Sequence, residues 1–336
     1  MRMFAALLIL LTAAPALADR TTVAFGSCFR QDVSDGWEFW TPILATEPDT
    51  FLFIGDNIYA SRGGGDRFDV AYDFLRNNPG FQAVRAATRV LAVWDDHDFG
   101  FNDGGREHAG VGEPHFERMF PAADPARDAR PGVYDSWITG DPGQRVQVIL
   151  LDTRTFRSPL TRGGNWGRGM GKYTPSTDPD QEMLGPDQWT WLEGELQKPA
   201  EVRLLVSSIQ VLAEGHGFER WGNLPAQQEK LFRVIERSGA EGVVLLSGDR
   251  HRAAFYKRND AMSYPLYEVT SSSLNKSFAP NAPETGRYIQ EAMVGENNFG
   301  LVTVDWEAAT LTLEIKTLDG ATAQGRTVPL DYLKRR

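Results

Sequence analysis

The sequence predicts an α/β protein in which two packed β-sheets are flanked by helices. Three observations carry this expectation. Short apolar runs alternate with helical patterns over the first 93 residues, the alternation returns between residues 145 and 246, and the pattern is all β from residue 253 onward. Alternation of this kind marks stacked βα units, and sheets of that class cover their faces with helices.

Thr21–Gly26 reads as a strand and Trp37–Ala45 as a helix. Thr50–Ile54 is a second strand, Asp66–Asn77 a second helix and Arg89–Val93 a third strand. Arg145–Leu151 and Val202–Val206 are further strands, and between them Arg157–Asp187 is rich in Gly, Pro, Arg and Thr. So long an insertion reads as a loop, whose Arg162, Trp166, Arg168 and Tyr173 either line an entrance or decorate a surface. Pro186–Leu196 is helical, with Trp189, Leu192 and Leu196 on one face. Leu224–Arg237 carries Pro225 in its first turn and Gly239 as a stop. Gly242–Leu246, Ala253–Lys257, Pro265–Thr270, Gly300–Asp305, Thr310–Lys316 and Arg326–Val328 complete the strands, with Leu318-Asp319-Gly320 as a turn.

The 336 residues, 41% hydrophobic, suffice for a core, and without repeats or linkers they suggest one domain over 19–336. Residues 1–18 read as a secretory signal: Arg2, an apolar run Leu7–Leu11, and Ala16-Leu17-Ala18 before Asp19. The run is far below the roughly 20 apolar residues of a membrane span. An exported protein, periplasmic or secreted and without a span, is therefore expected. A formal charge of −10 and no long basic run argue against nucleic acid or an anionic membrane as partner. Metal ions and a few arginines can still make a local site for phosphate. Cys28 is the only cysteine, which excludes an intramolecular disulfide.

Four apolar runs end in metal-grade side chains. Cys28 follows the first strand; Gly55-Asp56-Asn57-Ile58-Tyr59, Trp94-Asp95-Asp96-His97-Asp98 and Ser247-Gly248-Asp249-Arg250-His251 follow three others. Open α/β sheets place their ligands at the carboxyl ends of strands, so these groups can meet at one edge. Each alone has a plain reading: Asp56 as a turn acid, Tyr59 as packing, Cys28 as a small buried residue, His251 as an ordinary histidine. The acids of Trp94–Asp98, however, repel one another unless cations intervene. Together the four ends point to a dinuclear metal centre and metal-assisted hydrolysis. Asp56 is the candidate bridge. A Tyr59 phenolate suits Fe(III), and Cys28 joins as thiolate. Asp96 and Asp249 offer oxygen to a harder ion such as Ca²⁺, Mn²⁺ or Mg²⁺.

These motifs, with Gly26-Ser27-Cys28, Leu151-Asp152-Thr153-Arg154, Gln188-Trp189-Thr190-Trp191-Leu192 and Glu268-Val269-Thr270-Ser271-Ser272, resemble the alkaline phosphatase D (PhoD-like) metallophosphatases in order from about Val23 to Thr317. The resemblance implies a four-layer αββα sandwich akin to calcineurin-like and purple acid phosphatases. It implies Fe(III) on Cys28, Asp56, Tyr59 and His251, and Ca²⁺ on Asp56, Asp96 and Asp249, with Asn102 near the calcium side; Mn²⁺, Mg²⁺ and Zn²⁺ are the alternatives. It puts His97 where related phosphatases keep the histidine that protonates the leaving oxygen. Where the wider superfamily has a further histidine ligand, this chain has Ser207-Ser208-Ile209-Gln210.

The function so implied is hydrolysis of small phosphate esters by a metal-bridging hydroxide. Arg154, Arg250 or Arg252 would fix phosphate oxygens. Asp95 either orients His97 or is a solvated turn acid. A phosphodiesterase or phospholipase D-type activity on the same site is the alternative, as is a non-catalytic phosphate-binding metalloprotein. A serine hydrolase is disfavoured because no G-x-S-x-G elbow occurs.

Overall fold

A computed structural model describes residues 19–32, 37–60, 65–108, 111–164, 171–278 and 283–336. The expected signal segment, Trp166 and Arg168 lie outside the described residues.

The chain runs β1 (Arg20–Gly26), α1 (Trp37–Leu44), β2 (Thr50–Ile54), α2 (Gly65–Asn77), α3 (Pro79–Ala87), β3 (Arg89–Val93), α4 (Asp96–Phe99) and α5 (Glu113–Met119). It continues with β4 (Asp135–Thr139), β5 (Val146–Leu151), α6 (Gly185–Leu196), β6 (Val202–Ser207), α7 (Pro225–Ser238) and β7 (Val243–Ser247). Five strands close it: β8 (Ala253–Arg258), β9 (Leu266–Ser271), β10 (Asn298–Asp305), β11 (Thr310–Thr317) and β12 (Thr322–Pro329).

Two six-stranded mixed sheets result, ordered β12-β11-β10-β1-β2-β3 and β4-β5-β6-β7-β9-β8. In the first, β1, β2 and β3 are parallel and β10 to β12 join antiparallel. In the second, β5, β6, β7 and β9 are parallel between antiparallel edges β4 and β8. Period-2 alternation explains how the second sheet buries both faces. Val146, Val148 and Leu150 of β5 join the core shared with the first sheet, whereas Ile149 and Leu151 face α6 and α7. Opposite Phe25 on β10 sits Gly300, where a Cβ would lie 2.1 Å from the Phe25 ring.

The expected α/β class and most elements are present, with ends shifted by a residue or two. Helices α4 and α5, of four and seven residues, are too short to show a helical period, and three further features differ. Helix α3 follows α2 after one residue, started by the Asn78 side chain accepting from Phe81 N–H and by Pro79 in the first turn. Edge strand β4 opens on the polar pair Asp135-Ser136 and so lacks the apolar run that marks the other strands. Strand β12 extends well beyond Arg326–Val328, because an exposed edge strand needs no apolar alternation. The Arg157–Asp187 insertion is tethered to the body through a bridge between Gly171 and Gly217 and a bond from Ser176 N–H to Asn223 O, and it is closed on itself by Ser158 N–H to Glu182 O.

On the outer face of the first sheet, Phe53 sits among Phe29, Trp40, Phe51, Phe81 and Phe120, with ring centroids 5.5–6.1 Å away. Phe53→Ala should therefore destabilise the protein by about 3–5 kcal/mol. A urea midpoint unchanged from the parent would refute this packing.

Candidate metal centre

The carboxyl ends of β1, β2, β3 and β7 converge on one edge of the sandwich, and the chain leaves three of them in an unusual conformation. Cys28, Asp56, Asp249 and His251 have φ of 56°, 48°, 68° and 53°. The left-handed region costs a non-glycine residue about 1–3 kcal/mol, and such strain clusters at functional sites. Its effect here is to turn successive side chains inward from tight strand exits.

Among the described residues three groups of donor atoms result, the atoms of each lying within 4.8 Å of one another: Cys28, Asp56 and His251; Asp56, Asp96 and His97; Asp96, Asp103 and Glu219. Cys28 and Asp56 are 0% and 1% exposed. Cys28 Sγ lies 3.5 Å from Asp56 Oδ2 and 3.2 Å from Ser272 Oγ. Tyr59 OH donates to Asp56 Oδ2 at 3.0 Å and lies 3.4 Å from His251 Nε2. His251 is fixed by Nδ1 on the Lys276 carbonyl at 2.5 Å and by its backbone N–H on Ser272 Oγ at 2.8 Å. With Nδ1 the donor, Nε2 presents its lone pair to the site.

Asp96 Oδ2 accepts the Asp103 N–H at 2.7 Å, while its Oδ1 is buried without a hydrogen-bond donor. His97 stacks on Tyr59 at 4.2 Å between ring centroids, and its backbone N–H donates to Asp56 Oδ1 at 3.4 Å. Asp249 is not in any of these three-residue groups, although it lies within electrostatic reach of Asp95, Glu219 and Asp96. Asn102 is exposed. Its neighbour Asp103 takes the inward place, held by Lys172 Nζ and Tyr173 OH, both at 2.8 Å.

The electrostatics fit bound cations. Burial pushes the Cys28 thiol up, and pushes Asp56 well up with Asp96 and Cys28 adding repulsion. Tyr59 and Asp249 rise for the same reason, burial first and neighbouring anions second. Burial alone would also raise Asp96, but His97, Arg154 and the Asp103 N–H hold it at about 2. Burial lowers His251 to about 4, so it is a neutral imidazole. Neutral nitrogen, an orphaned carboxylate oxygen and acids crowded past what they tolerate as anions are what bound cations relieve.

Beneath the donors lies a supporting layer. Asp98 accepts from the N–H groups of Asn57 (3.1 Å), Ile58 (3.1 Å) and Asp95 (3.0 Å), tying the Asp56 loop to the Asp96 loop. Burial lifts its carboxyl to about 8 against those donors. Arg154 meets a different place from the phosphate grip expected of it. It is 0% exposed and its guanidinium is engaged by Asp95 at 2.5 Å and Glu219 at 2.8 Å. Asp95 likewise serves Arg154 and Ser208 Oγ (2.6 Å), neither solvent nor the His97 ring. Arg250 lies 4.3 Å over the Phe218 ring, with its Nε buried and lacking a hydrogen-bond partner.

Glu219, Asp103, Lys276 and the positioning role of Asp98 were not anticipated. Asp98 and Ser272 stand inside motifs that the sequence displays. Glu219 and Lys276 carry no local signal.

The model of the PhoD-like phosphatase family matches residues 23–314. The chain belongs to the PhoD-like phosphatase family. It is 24% identical over 273 residues to alkaline phosphatase D of Bacillus subtilis (strain 168), covering 68% of this chain and 46% of that protein. It thus spans under half of that curated relative. Among solved structures, one of PhoD superposes with TM-score 0.66 at 17% identity, covering 94% of this chain and 70% of that one. A purple acid phosphatase from yellow lupin (Lupinus luteus) seeds gives 0.64 at 12%, covering 94% and 55%. Both similarities show the fold, and the two-sheet sandwich expected from the family resemblance is the architecture found.

The buried charge has two testable consequences. Arg154→Met leaves Asp95 without a cationic partner and Glu219 with Arg157 alone, and should cost about 3–5 kcal/mol in urea unfolding; an unchanged midpoint would remove Arg154 from the supporting layer. The second is pH dependence. Asp56, Asp95, Asp98, Asp249 and Glu219 all have raised folded-state values, with Asp98 at about 8 and Glu219 at about 7, while Asp96 alone is lowered. The stability from the raised carboxyls is present below the unfolded range near about 4 and is lost as pH climbs through the folded values. Chelator-treated protein should unfold at lower urea at pH 9 than at pH 5, and equal midpoints would contradict the burial of these groups.

Proposed function

We propose that this protein is a metal-dependent phosphoric ester hydrolase acting on small phosphate esters. One observation carries the reading: Asp56 belongs to both the Cys28/His251 and the Asp96/His97 donor groups. A carboxylate shared in this way lets two ions lie close enough to clamp one phosphoryl group. Cys28, Asp56, Tyr59 and His251 would hold the first ion, and thiolate, phenolate and imidazole suit Fe(III), with Zn²⁺ as alternative. Asp56 and Asp96, with Asp249, would hold the second, for which oxygen donors suit Ca²⁺, Mn²⁺ or Mg²⁺, and Asp103 stands beside Asp96 in the place expected of Asn102. When bound, such ions supply an activated water and the charge that neutralises the phosphoryl oxygens in the transition state.

The chain's own residues do the rest. His97 stands at the mouth, its Nε2 4.0 Å from Asp96 Oδ1, and gives a proton to the departing oxygen. Burial lowers its pKa against the pull of Asp96, and an arriving anionic ester restores the imidazolium that the transfer needs. Arg250, whose guanidinium lies over the Phe218 ring, offers its terminal N–H groups to a phosphate oxygen. Net negative charge makes long polyanions poor substrates, which favours small esters. The Ala16-Leu17-Ala18 pattern supports export as the setting. Among the described residues no helix is long and apolar enough to cross a membrane.

The test is elemental mass spectrometry on the purified protein, with turnover of p-nitrophenyl phosphate and bis-p-nitrophenyl phosphate on the same sample. Two bound ions per chain, turnover of one or both esters and loss of turnover on chelation are expected. No metal and no turnover, after Fe, Ca, Mn and Zn are supplied, would make a phosphate-binding protein the better account. His97→Ala should lower kcat by about 10²–10⁴-fold while both metals stay bound; full turnover in that variant would end its role as the acid.

A further inference from the structure

Lys276 lies in the segment after β9, and that segment is pinned across the mouth of the metal centre. Leu274 N–H donates to Ser27 O at 3.0 Å. Asn275 clasps the Arg30 backbone from both sides, its Oδ1 accepting the Arg30 N–H at 2.6 Å and its Nδ2 donating to Arg30 O at 2.8 Å. The Lys276 carbonyl takes His251 Nδ1, Ser277 N–H donates to Asn297 Oδ1 at 3.2 Å, and Phe278 N–H donates to His251 O at 3.0 Å. The Phe278 ring rests 4.3 Å from that of His251. A segment held at so many points fixes where its one cationic side chain begins.

The Lys276 ammonium stands 3.6 Å from the centroid of Tyr59, the ring on which His97 also stacks. Its other neighbour is the more distant Phe278 ring, at 5.9 Å. No ion pair or hydrogen bond of this ammonium is found among the described residues, although Asp56, Cys28 and Asp96 lie within its electrostatic reach. An ammonium carries three N–H donors, and aromatic faces satisfy none of them as an oxygen would. Once cations neutralise Asp56 and Cys28, Lys276 remains a positive charge beside the donor group that these residues form.

We propose that Lys276 contacts the substrate, its ammonium binding a non-bridging oxygen of the phosphoryl group and favouring dianionic monoesters over monoanionic diesters. The proposal rests on the hydrolase reading above and deepens it to a substrate class. Coulomb attraction to a point charge scales with the charge on the ligand, so a dianion gains more than a monoanion at the same distance. Above about pH 7 a monoester is largely dianionic, because its second proton leaves near pH 6.

The full-length, metal-loaded protein is compared with Lys276→Met and Lys276→Arg. Bound metal is measured by elemental mass spectrometry, inorganic phosphate affinity by calorimetry, and kcat/KM on p-nitrophenyl phosphate and bis-p-nitrophenyl phosphate. Lys276→Met should keep its metals, bind phosphate roughly 10–100-fold more weakly, as expected for loss of a charged hydrogen bond, and lose more turnover on the monoester than on the diester. Lys276→Arg should retain most of both. Unchanged phosphate affinity and an unchanged monoester-to-diester ratio in Lys276→Met would overturn the proposal. So would loss of its metals, which would make Lys276 part of the coordination environment. If the parent binds phosphate in a Lys276-dependent manner but turns over neither ester, the hydrolase reading fails while the contact stands; if it turns over esters with Lys276-independent phosphate affinity, only the contact fails.

Discussion

The constraint on which the rest of this structure depends is buried negative charge. Asp56, Asp95, Asp96, Asp98, Asp249 and Glu219 crowd together at the convergent strand ends. No fold tolerates six such groups as bare anions away from water. The protein distributes them over three kinds of compensation. Asp98 is met by backbone N–H groups, Asp95 and Glu219 by Arg154, with Arg157 adding a second guanidinium at 2.8 Å from Glu219. Among the described residues Asp56, Asp249 and one oxygen of Asp96 have no comparable partner, and of these Asp56 lies against the donor atoms of Cys28, Tyr59 and His251 while Asp96 adjoins Asp56 and His97. The acids that the protein leaves uncompensated define where cations belong.

The inner groups therefore act through geometry. Arg154 holds Asp95 and Glu219, and Ser208 holds Asp95 from the far side while bonding Thr153 at 2.6 Å. The loops after β3, β5 and β6 become one rigid body under the site. This assigns a use to the Ser207–Gln210 stretch that differs from ligation: Ser208 supports the carboxylate layer, and Gln210 bonds Thr270 and Tyr256, both at 2.9 Å. Precise first-layer placement needs a second layer locked by packing and hydrogen bonds. The strained backbone at Cys28, Asp56, Asp249 and His251 persists because that layer over-determines it.

Much of this was legible in the sequence because strands announce their own ends. An apolar run that stops at Gly26, Gly55 or Gly248 fixes both the element and the side chain just beyond it, so Cys28, Asp56, Tyr59 and His251 could be named before any coordinates. Side chains placed by an irregular turn could not. Asn102 and Asp103 differ by one position, and only the left-handed turn at Asp103, with φ 56°, decides which of them points inward. Arg154 also comes after a strand, but sequence gives no means of telling a guanidinium above the site from one beneath it. Glu219 and Lys276 arrive through long-range packing of loops, with no periodic pattern to mark them. Edge strand β4 and most of β12 leave little trace because one opens on two polar residues and the other is mostly exposed.

The site also depends on how closely the two sheets approach. Asp56, Asp96 and His97 all follow strands of the first sheet, but Cys28 and Asp56 come from the first sheet and His251 and Ser272 from the second, so the Cys28/Asp56/His251 group needs both. The seam between them is lined with small residues, and the space is fully used. A Cβ added at Gly26 would lie 2.7 Å from Leu274, at Gly55 2.7 Å from Asp95, and at Gly248 2.6 Å from Ser27 Oγ. Hydrogen bonds cross the same seam, Leu274 N–H to Ser27 O and Cys28 to Ser272. The glycines that open these motifs are thus steric conditions for the chemistry. They let the strand ends of two sheets close to within the few ångströms over which a thiolate, carboxylates and an imidazole can share ions.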